Sequence, residues 1–255
     1  MANLIRMDLY RMVKAKFFLV CLLVTFGLAL SGAPLAWLLA RFAASFATQG
    51  VPFATQTNLS VILGDPFPML GLMITLLSLC WFFHADVEHG YIKNIAGQVP
   101  MKGLAVLSRF IAAFVHNAAF AAAGILGNLI GALLVLRVVP DSQVADSLRL
   151  LVLRLLLAQS LSAVLLLAVT TFRSKALGMT LAVVFGLGLT PLIYMGINSG
   201  LIQLMGPGTD ISAIMPDTVM YEMPLDTLKA LAVAAGWGAL FLVPAIRIFD
   251  RKDVK

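Results

Sequence analysis

Charge is what this sequence has least of. Only 12% of its 255 residues are Asp, Glu, Lys or Arg, against 61% hydrophobic, whereas soluble domains carry about a quarter charged residues and roughly half apolar ones. With a mean hydropathy of +0.98, that shortage excludes an ordinary water-soluble domain. Cysteine is scarce too. Cys21 and Cys80 fall near the ends of apolar runs that face a reducing compartment, so a disulfide framework is excluded and both read as packing residues. Three histidines leave little for a metal site. His84, Glu88 and His89 form H-x-x-x-E-H, one residue longer than H-x-x-E-H, and His89 is rotated away from the face shared by His84 and Glu88. They read as solvated helix-end residues, with no metal site. No G-x-S-x-G elbow is present to anchor nucleophilic hydrolysis. There is no G-x-x-x-x-G-K-[ST], so the chain has no P-loop for ATP. None of the twelve acids sits near the middle of an apolar run, which disfavours an ion-coupled carrier.

What is present instead is length of apolar run. Crossing roughly 30 Å of hydrocarbon takes about 20 apolar residues in a helix. Six runs of that kind occur, at 17–39, 66–83, 110–136, 150–171, 176–198 and 228–249. The expected fold is an all-α integral membrane protein. It has an N-terminal segment over 1–16, a six-helix transmembrane domain over 17–249 and a short tail over 250–255. The first run is too long for the apolar core of a cleaved signal peptide and reads as an uncleaved helix.

Cationic side chains resist translocation and collect on the cytoplasmic side. With the N-terminus inside, the inner segments hold thirteen of the eighteen: Arg6, Arg11, Lys14, Lys16, Lys93, Lys102, Arg109, Arg173, Lys175, Arg247, Arg251, Lys252 and Lys255. Both termini are thereby assigned to the cytoplasm. The net charge of +6 expresses this asymmetry, with anionic lipid as a partner, and gives no reason to invoke nucleic acid. In the N-terminal segment Ile5, Leu9, Met12 and Val13 share one helical face, while Arg6, Asp8, Arg11 and Lys14 lie elsewhere. That pattern fits a helix lying in the membrane interface; a basic flank without fixed structure is the alternative.

Within the third run Ala119, Ala123, Gly127 and Gly131 recur every four residues, a small-residue ridge that permits close helix approach. It serves either an intramolecular seam or a subunit interface. His116, Asn117, Asn128 and Gln159 are the larger uncharged polar side chains of the third and fourth runs. Each either bonds a neighbouring helix or lines a substrate path. Pro191 and Pro244 fall inside the fifth and sixth runs and are expected to kink them. Between those runs, 199–227 has no Lys or Arg but holds Asp210, Asp217, Glu222 and Asp226. Its apolar residues, punctuated by Pro207, Pro216 and Pro224, fit either short capping helices or an ordered loop.

The densest polar stretch is HADVEHGYIKNIAGQVPMKG, from His84 to Gly103. Its order, E-H-G-Y-I-K-N-I from Glu88 followed by P-M-K from Pro100, resembles the E-x-G-T-x-K-N plus P-x-[KR] pattern of ABC-2-type permeases, the membrane subunits of ABC exporters. The opening M-D-L-Y-R-M-V-K-A-K-F-F and the terminal I-F-D-R-K-D-V, close to F-x-[KR]-[KR]-D, resemble the same family. Tyr91 stands where Thr is frequent. The layout agrees along the whole chain, the motifs over about forty residues.

The resemblance implies a non-catalytic transport subunit of a bacterial cytoplasmic membrane, paired with a second permease, identical or related. Separate ABC ATPase subunits would hold ATP and Mg2+, and this chain would carry no cofactor. It implies a coupling helix between the second and third spans, with Glu88, Gly90, Tyr91, Lys93, Asn94, Pro100 and Lys102 at or near the contact. Arg173 and Lys175 would mark a second, smaller contact, and the N-terminal helix with Arg6, Arg11 and Lys14 would lie beside the same subunit. In that reading Gly90 supplies a tight turn and Pro100 stops the segment. The alternative is a loop whose charges merely keep it wet, in a six-span binding or immunity protein that sequesters a peptide or lipid without ATP.

Overall fold

The computed structural model describes residues 1–46, 56–68, 70–88, 103–205, 210–222 and 225–251. Helix α1 covers Ala2–Lys14 and α2 covers Lys16–Phe46, separated by one extended residue, Ala15. A three-residue strand β1 (Gln56–Asn58) leads into α3 (Leu59–Gly64), and α4 follows at Gly71–Glu88. The long α5 spans Gly103–Val135; β2 (Arg137–Val139) pairs in parallel with β1. Helix α6 covers Val144–Phe172, α7 Lys175–Gly186 and α8 Thr190–Met205. A single 3-10 turn at Ser212–Ile214, the short α9 (Pro216–Val219) and α10 (Thr227–Arg251) complete the chain.

Four of these helices, α2, α5, α6 and α10, are long and apolar enough to cross a membrane, or five if α7 and α8 count as one bent span. The distribution of polarity agrees. Leu23, Leu134, Leu192 and Leu228 stand exposed on the outside, while Thr75, Ser78, His116, Asn117 and Ser162 are buried among the helices. That arrangement suits lipid as the surrounding solvent, where stray backbone must be helical and polar side chains turn inward.

Helices α2, α5 and α6 extend past their apolar runs, chiefly at one end, and two of the six expected spans depart in other ways. The second begins at Gly71 instead of residue 66, because Pro66 and Pro68 withhold amide donors before the first turn. Its 18 residues reach about 27 Å. The fifth run is two helices set at 87°. The break lies at Leu187–Leu189, where Gly188 adopts a left-handed φ of +64°. Pro191 therefore sits in the first turn of α8, where a missing amide costs little, and does not kink a helix interior. Pro244, by contrast, lies inside an unbroken α10.

Close packing depends on glycine at three seams. A Cβ on Gly127 would meet the Phe26 carbonyl oxygen at 2.6 Å and Ala29 Cβ at 2.8 Å, and one on Gly131 would strike the backbone of Leu30. Helices α2 and α5 thus run side by side in the same direction at a separation that only glycine allows. Gly124 does the same for the chain entering α4, with the Pro66 carbonyl oxygen at 2.6 Å. Gly178 and Gly186 seat α7 antiparallel on α4, against Cys80 and Met73 respectively. Of the expected ridge, Gly127 and Gly131 are buried in the α2 seam, whereas Ala119 and Ala123 are only partly covered. Helix α10 lies along α6, and Val219, Met220 and Leu225 of the segment before it are buried in the same core.

Candidate functional site

The segment that drew attention in the sequence leaves α4 at Glu88 and rejoins the described structure at Gly103. Gly90, Tyr91, Lys93, Asn94, Pro100 and Lys102 lie outside the described residues. What the structure supplies is the frame at the two ends of that segment. At the α4 end Glu88 is largely exposed, with its Oε2 3.9 Å from His84 Nε2 one turn earlier. At the α5 end the Gly103 amide donates to Asp250 Oδ1 of α10 at 2.5 Å. A Cβ at Gly103 would lie 2.6 Å from Ile246 Cγ2 and 2.8 Å from Asp250 Oδ2, so any larger residue at this helix start would have to displace those two side chains of α10. Arg109, almost wholly buried, places its guanidinium carbon 5.8 Å from the Phe249 ring centroid.

The N-terminal helix joins the same frame. Ser108 Oγ donates to Asp8 Oδ2 at 2.6 Å, and Asp8 Oδ1 lies 3.6 Å from Arg11 Nη1. Asp8 and Met12, one turn apart, are the buried residues of α1. The expectation that put Asp8 on the polar side, away from Met12, is therefore corrected. A short acid can be buried where a hydroxyl donor and a guanidinium meet it, and hydropathy periodicity cannot register that. Arg6, Tyr10, Val13 and Lys14 are exposed, and Lys14 Nζ lies 5.9 Å from the Tyr10 ring centroid.

The Arg173–Lys175 turn closes the frame. Arg173 ends α6 in a left-handed conformation (φ +52°), and Ser174 caps α7 by accepting from the Leu177 amide at 3.3 Å. Arg173 is exposed. Lys175 lays its ammonium 3.1 Å from the Trp81 ring centroid, and the other face of that indole stacks on Phe17 at 4.6 Å. One tryptophan on α4 thereby ties α2 and α7 together, a cation–π contact of about 0.5–2 kcal/mol depending on its desolvation.

Deeper in the bundle the structure gathers three of the four candidate path residues. Asn117 Nδ2 donates to Gln159 Oε1 at 3.1 Å and to Ser162 Oγ at 2.9 Å, and Gln159 Nε2 donates to the Phe110 carbonyl at 2.6 Å. His116 Nε2 lies 3.0 Å from Ser78 Oγ of α4, with its ring stacked on Phe120 at 4.5 Å. These contacts bind α4, α5 and α6 to one another. Asn128 is only partly buried and stands apart from the cluster. Gln159 also borders a cavity of about 490 Å³ between α6 and α10, walled by Phe110, Leu156, Leu231, Ala234, Gly238 and Leu242.

Sequence reasoning passed over Arg154, which lies in the fourth apolar run and is 95% buried, being 5% exposed. The signal was available. A cation four residues inside an apolar run is itself a functional hint, and attention to acids alone hid it. Asp217, in the sequence one of four acids between the fifth and sixth runs, is buried, accepting from the Thr190 hydroxyl and from Tyr194 Oη at 3.0 Å. These two contacts pin α8 to α9.

The fold and its inward-turned polar residues define the class: an all-α bundle with four or five helices able to cross a membrane. Comparison with protein-family models, with characterised proteins and with solved structures found no match to this chain.

Proposed function

We propose that the chain is the permease subunit of an ATP-driven exporter of the ABC-2 type. A separate ATPase subunit would supply the force, and a peptide, lipid or drug-like molecule would be the cargo. The observation that carries this reading is the braced frame around 89–102. The segment whose motif resembles a coupling helix is held at its α5 end by Asp250 of α10 and flanked by α1 through Asp8 and Ser108. A loop anchored in that way passes a displacement to the helices it joins, whereas a slack one absorbs it.

Six crossings with both termini in the cytoplasm belong to the same proposal. Asp8 and Asp250 both meet the start of α5, so α1 and the end of α10 lie at one end of the bundle, which supports an even number of crossings between them. Helices α2 and α5 run one way and α4 and α6 the other. Lys175 lies beside Trp81, while Gly186 lies beside Met73 at the opposite end of α4. Helix α7 therefore travels outward, and α10 returns.

Glu88 and Lys93 are assigned as docking contacts, with Arg173 as the exposed residue of the smaller one. The test is co-purification with an ATPase encoded nearby. Glu88→Ala with Lys93→Ala should weaken its retention or uncouple its turnover from export. A chain that is active alone in liposomes, or a double variant with unchanged assembly and transport, would sink the assignment.

A further inference from the structure

The end of the bundle opposite the 89–102 frame carries a second arrangement that transport coupling does not use. Arg154 Nε donates to the Met220 carbonyl at 3.1 Å, and Nη1 donates to the Gly64 carbonyl at 2.5 Å. Asp65 Oδ1 is 3.6 Å from Nη1, too far for a hydrogen bond, and its side chain is 47% exposed. The Tyr221 ring stands 6.0 Å from the guanidinium carbon. A guanidinium has five N–H donors, and Nη2 donates to no protein acceptor among the described residues. A cavity of about 400 Å³ lies against it, lined by Arg154, Asp65, Tyr221, Ser60, Gln143 and Ser147 among others.

This is more than a staple between α3, α6 and α9. A buried cation normally uses its donors, since leaving them dry costs free energy. Arg154 is itself one of the residues that line the cavity. Partial burial also raises the Asp65 carboxyl above its usual pKa, opposed by Arg154 and by a backbone hydrogen bond from Phe67; among the described residues Arg154 is the one cation acting on it. One wall of the cavity thus offers a donor fork and the adjacent wall a half-exposed carboxylate, within 3.6 Å of each other. A simple anion would face Asp65, and a simple cation would face Arg154. A molecule carrying both charges a few bonds apart satisfies the two together.

We infer that this cavity binds a zwitterion in which a primary ammonium sits beside an oxyanion, the oxyanion on Arg154 and the ammonium on Asp65. Two sources carry that chemistry: a free α-amino acid and the headgroup of phosphatidylethanolamine. The site needs no ATPase and stands independently of the exporter reading.

The experiment uses the full chain in nanodiscs, probed with L-alanine, O-phosphoethanolamine, acetate and methylammonium. A parallel arm weighs bound phosphatidylethanolamine against phosphatidylcholine by native mass spectrometry. At least one zwitterionic probe or the ethanolamine lipid should bind, with the single-charge probes weaker by about tenfold, the worth of one charge-assisted hydrogen bond. Asp65→Asn should weaken binding and Arg154→Gln abolish it. Because Arg154→Gln also loses the bonds to Gly64 and Met220 and could unfold the chain, Val61→Trp serves as a second variant. Val61 is an exposed residue of the cavity wall, so this change blocks the space without touching the core. Alanine binding without lipid retention assigns the free amino acid. Lipid retention lost in both Asp65→Asn and Val61→Trp assigns the headgroup. If neither zwitterion nor the lipid binds, or if affinity is unchanged in Asp65→Asn and Val61→Trp, the inference is overturned.

Discussion

At the scale of single residues, space decides more than chemistry. Gly131 and Gly196 look alike in the sequence, each a glycine in an apolar helix. A Cβ at Gly131 would collide with the Leu30 backbone, whereas one at Gly196 meets nothing within 4 Å. Backbone cannot yield as a side-chain tip can, so Gly131→Ala should destabilise by about 1–3 kcal/mol, the cost of overpacking, and Gly196→Ala should be neutral or slightly stabilising through helix propensity. Thermal unfolding in one detergent compares them; equal midpoints would show that the α2 and α5 seam is looser than the structure has it. Asp65 gives a prediction in pH. Its folded pKa is raised from 3.8, chiefly by burial and in part offset by Arg154 and a backbone hydrogen bond from Phe67, so between the two pKa values the native state holds a proton that the unfolded chain releases. The resulting stabilisation is complete below about 3.8, declines as pH rises and is gone above the folded pKa. Measured against Asp65→Asn, the native chain should therefore lose relative stability with rising pH across that window. A constant difference would contradict it.

At the scale of elements, the sequence disclosed what hydropathy can disclose. Helices α2, α5, α6 and α10 follow from uninterrupted apolar length, and their ends shift by a few residues because helices continue past the hydrocarbon wherever nothing stops them. The break between α7 and α8 was less legible. Gly188 and Pro191 both lie in an apolar run that satisfies the length rule, and only the backbone shows that the glycine takes a left-handed turn while the proline opens a new helix. The candidate site divides in the same manner. Asn117, His116 and Gln159 could be picked out as polar residues in apolar runs, but their sharing of Ser78, Ser162 and the Phe110 carbonyl depends on tertiary registry. The burial of Asp8 depends on Ser108, a hundred residues away. For that reason α1 should be held more firmly than an interfacial helix resting on lipid alone. Asp8→Ala removes the acceptor of Ser108 and the ion partner seen for Arg11, at a cost of about 1–3 kcal/mol, and should speed amide exchange in α1 while leaving α6 protected. Unchanged exchange would mean that Met12 and its apolar neighbours hold the helix by themselves.

At the scale of the whole molecule, the sidedness of the bundle is the quantity that joins fold to function. The bond from the Gly103 amide to Asp250 and the bond from Ser108 to Asp8 place both ends of the chain beside the start of α5. If α7 and α8 turned back as a re-entrant hairpin, α10 would begin on the side where it has to end, and the contact with Gly103 could not form. In the six-crossing proposal the bent pair delivers the chain to the far side, even though the 12 residues of α7 reach only about 18 Å against roughly 30 Å of hydrocarbon. Part of α8 has to complete the passage, or the bilayer has to thin around it. Cysteine labelling can decide this with little background, because Cys21 and Cys80 are both buried. Lys14→Cys and Arg173→Cys should react with a membrane-impermeant maleimide only after the cells are opened. Ser142→Cys and Asp210→Cys, exposed positions near the starts of α6 and α9, should react in intact cells. Labelling of Asp210→Cys from the same side as Arg173→Cys would make the hairpin real, leave an odd number of crossings, and separate the two termini that the frame around 89–102 requires to be together.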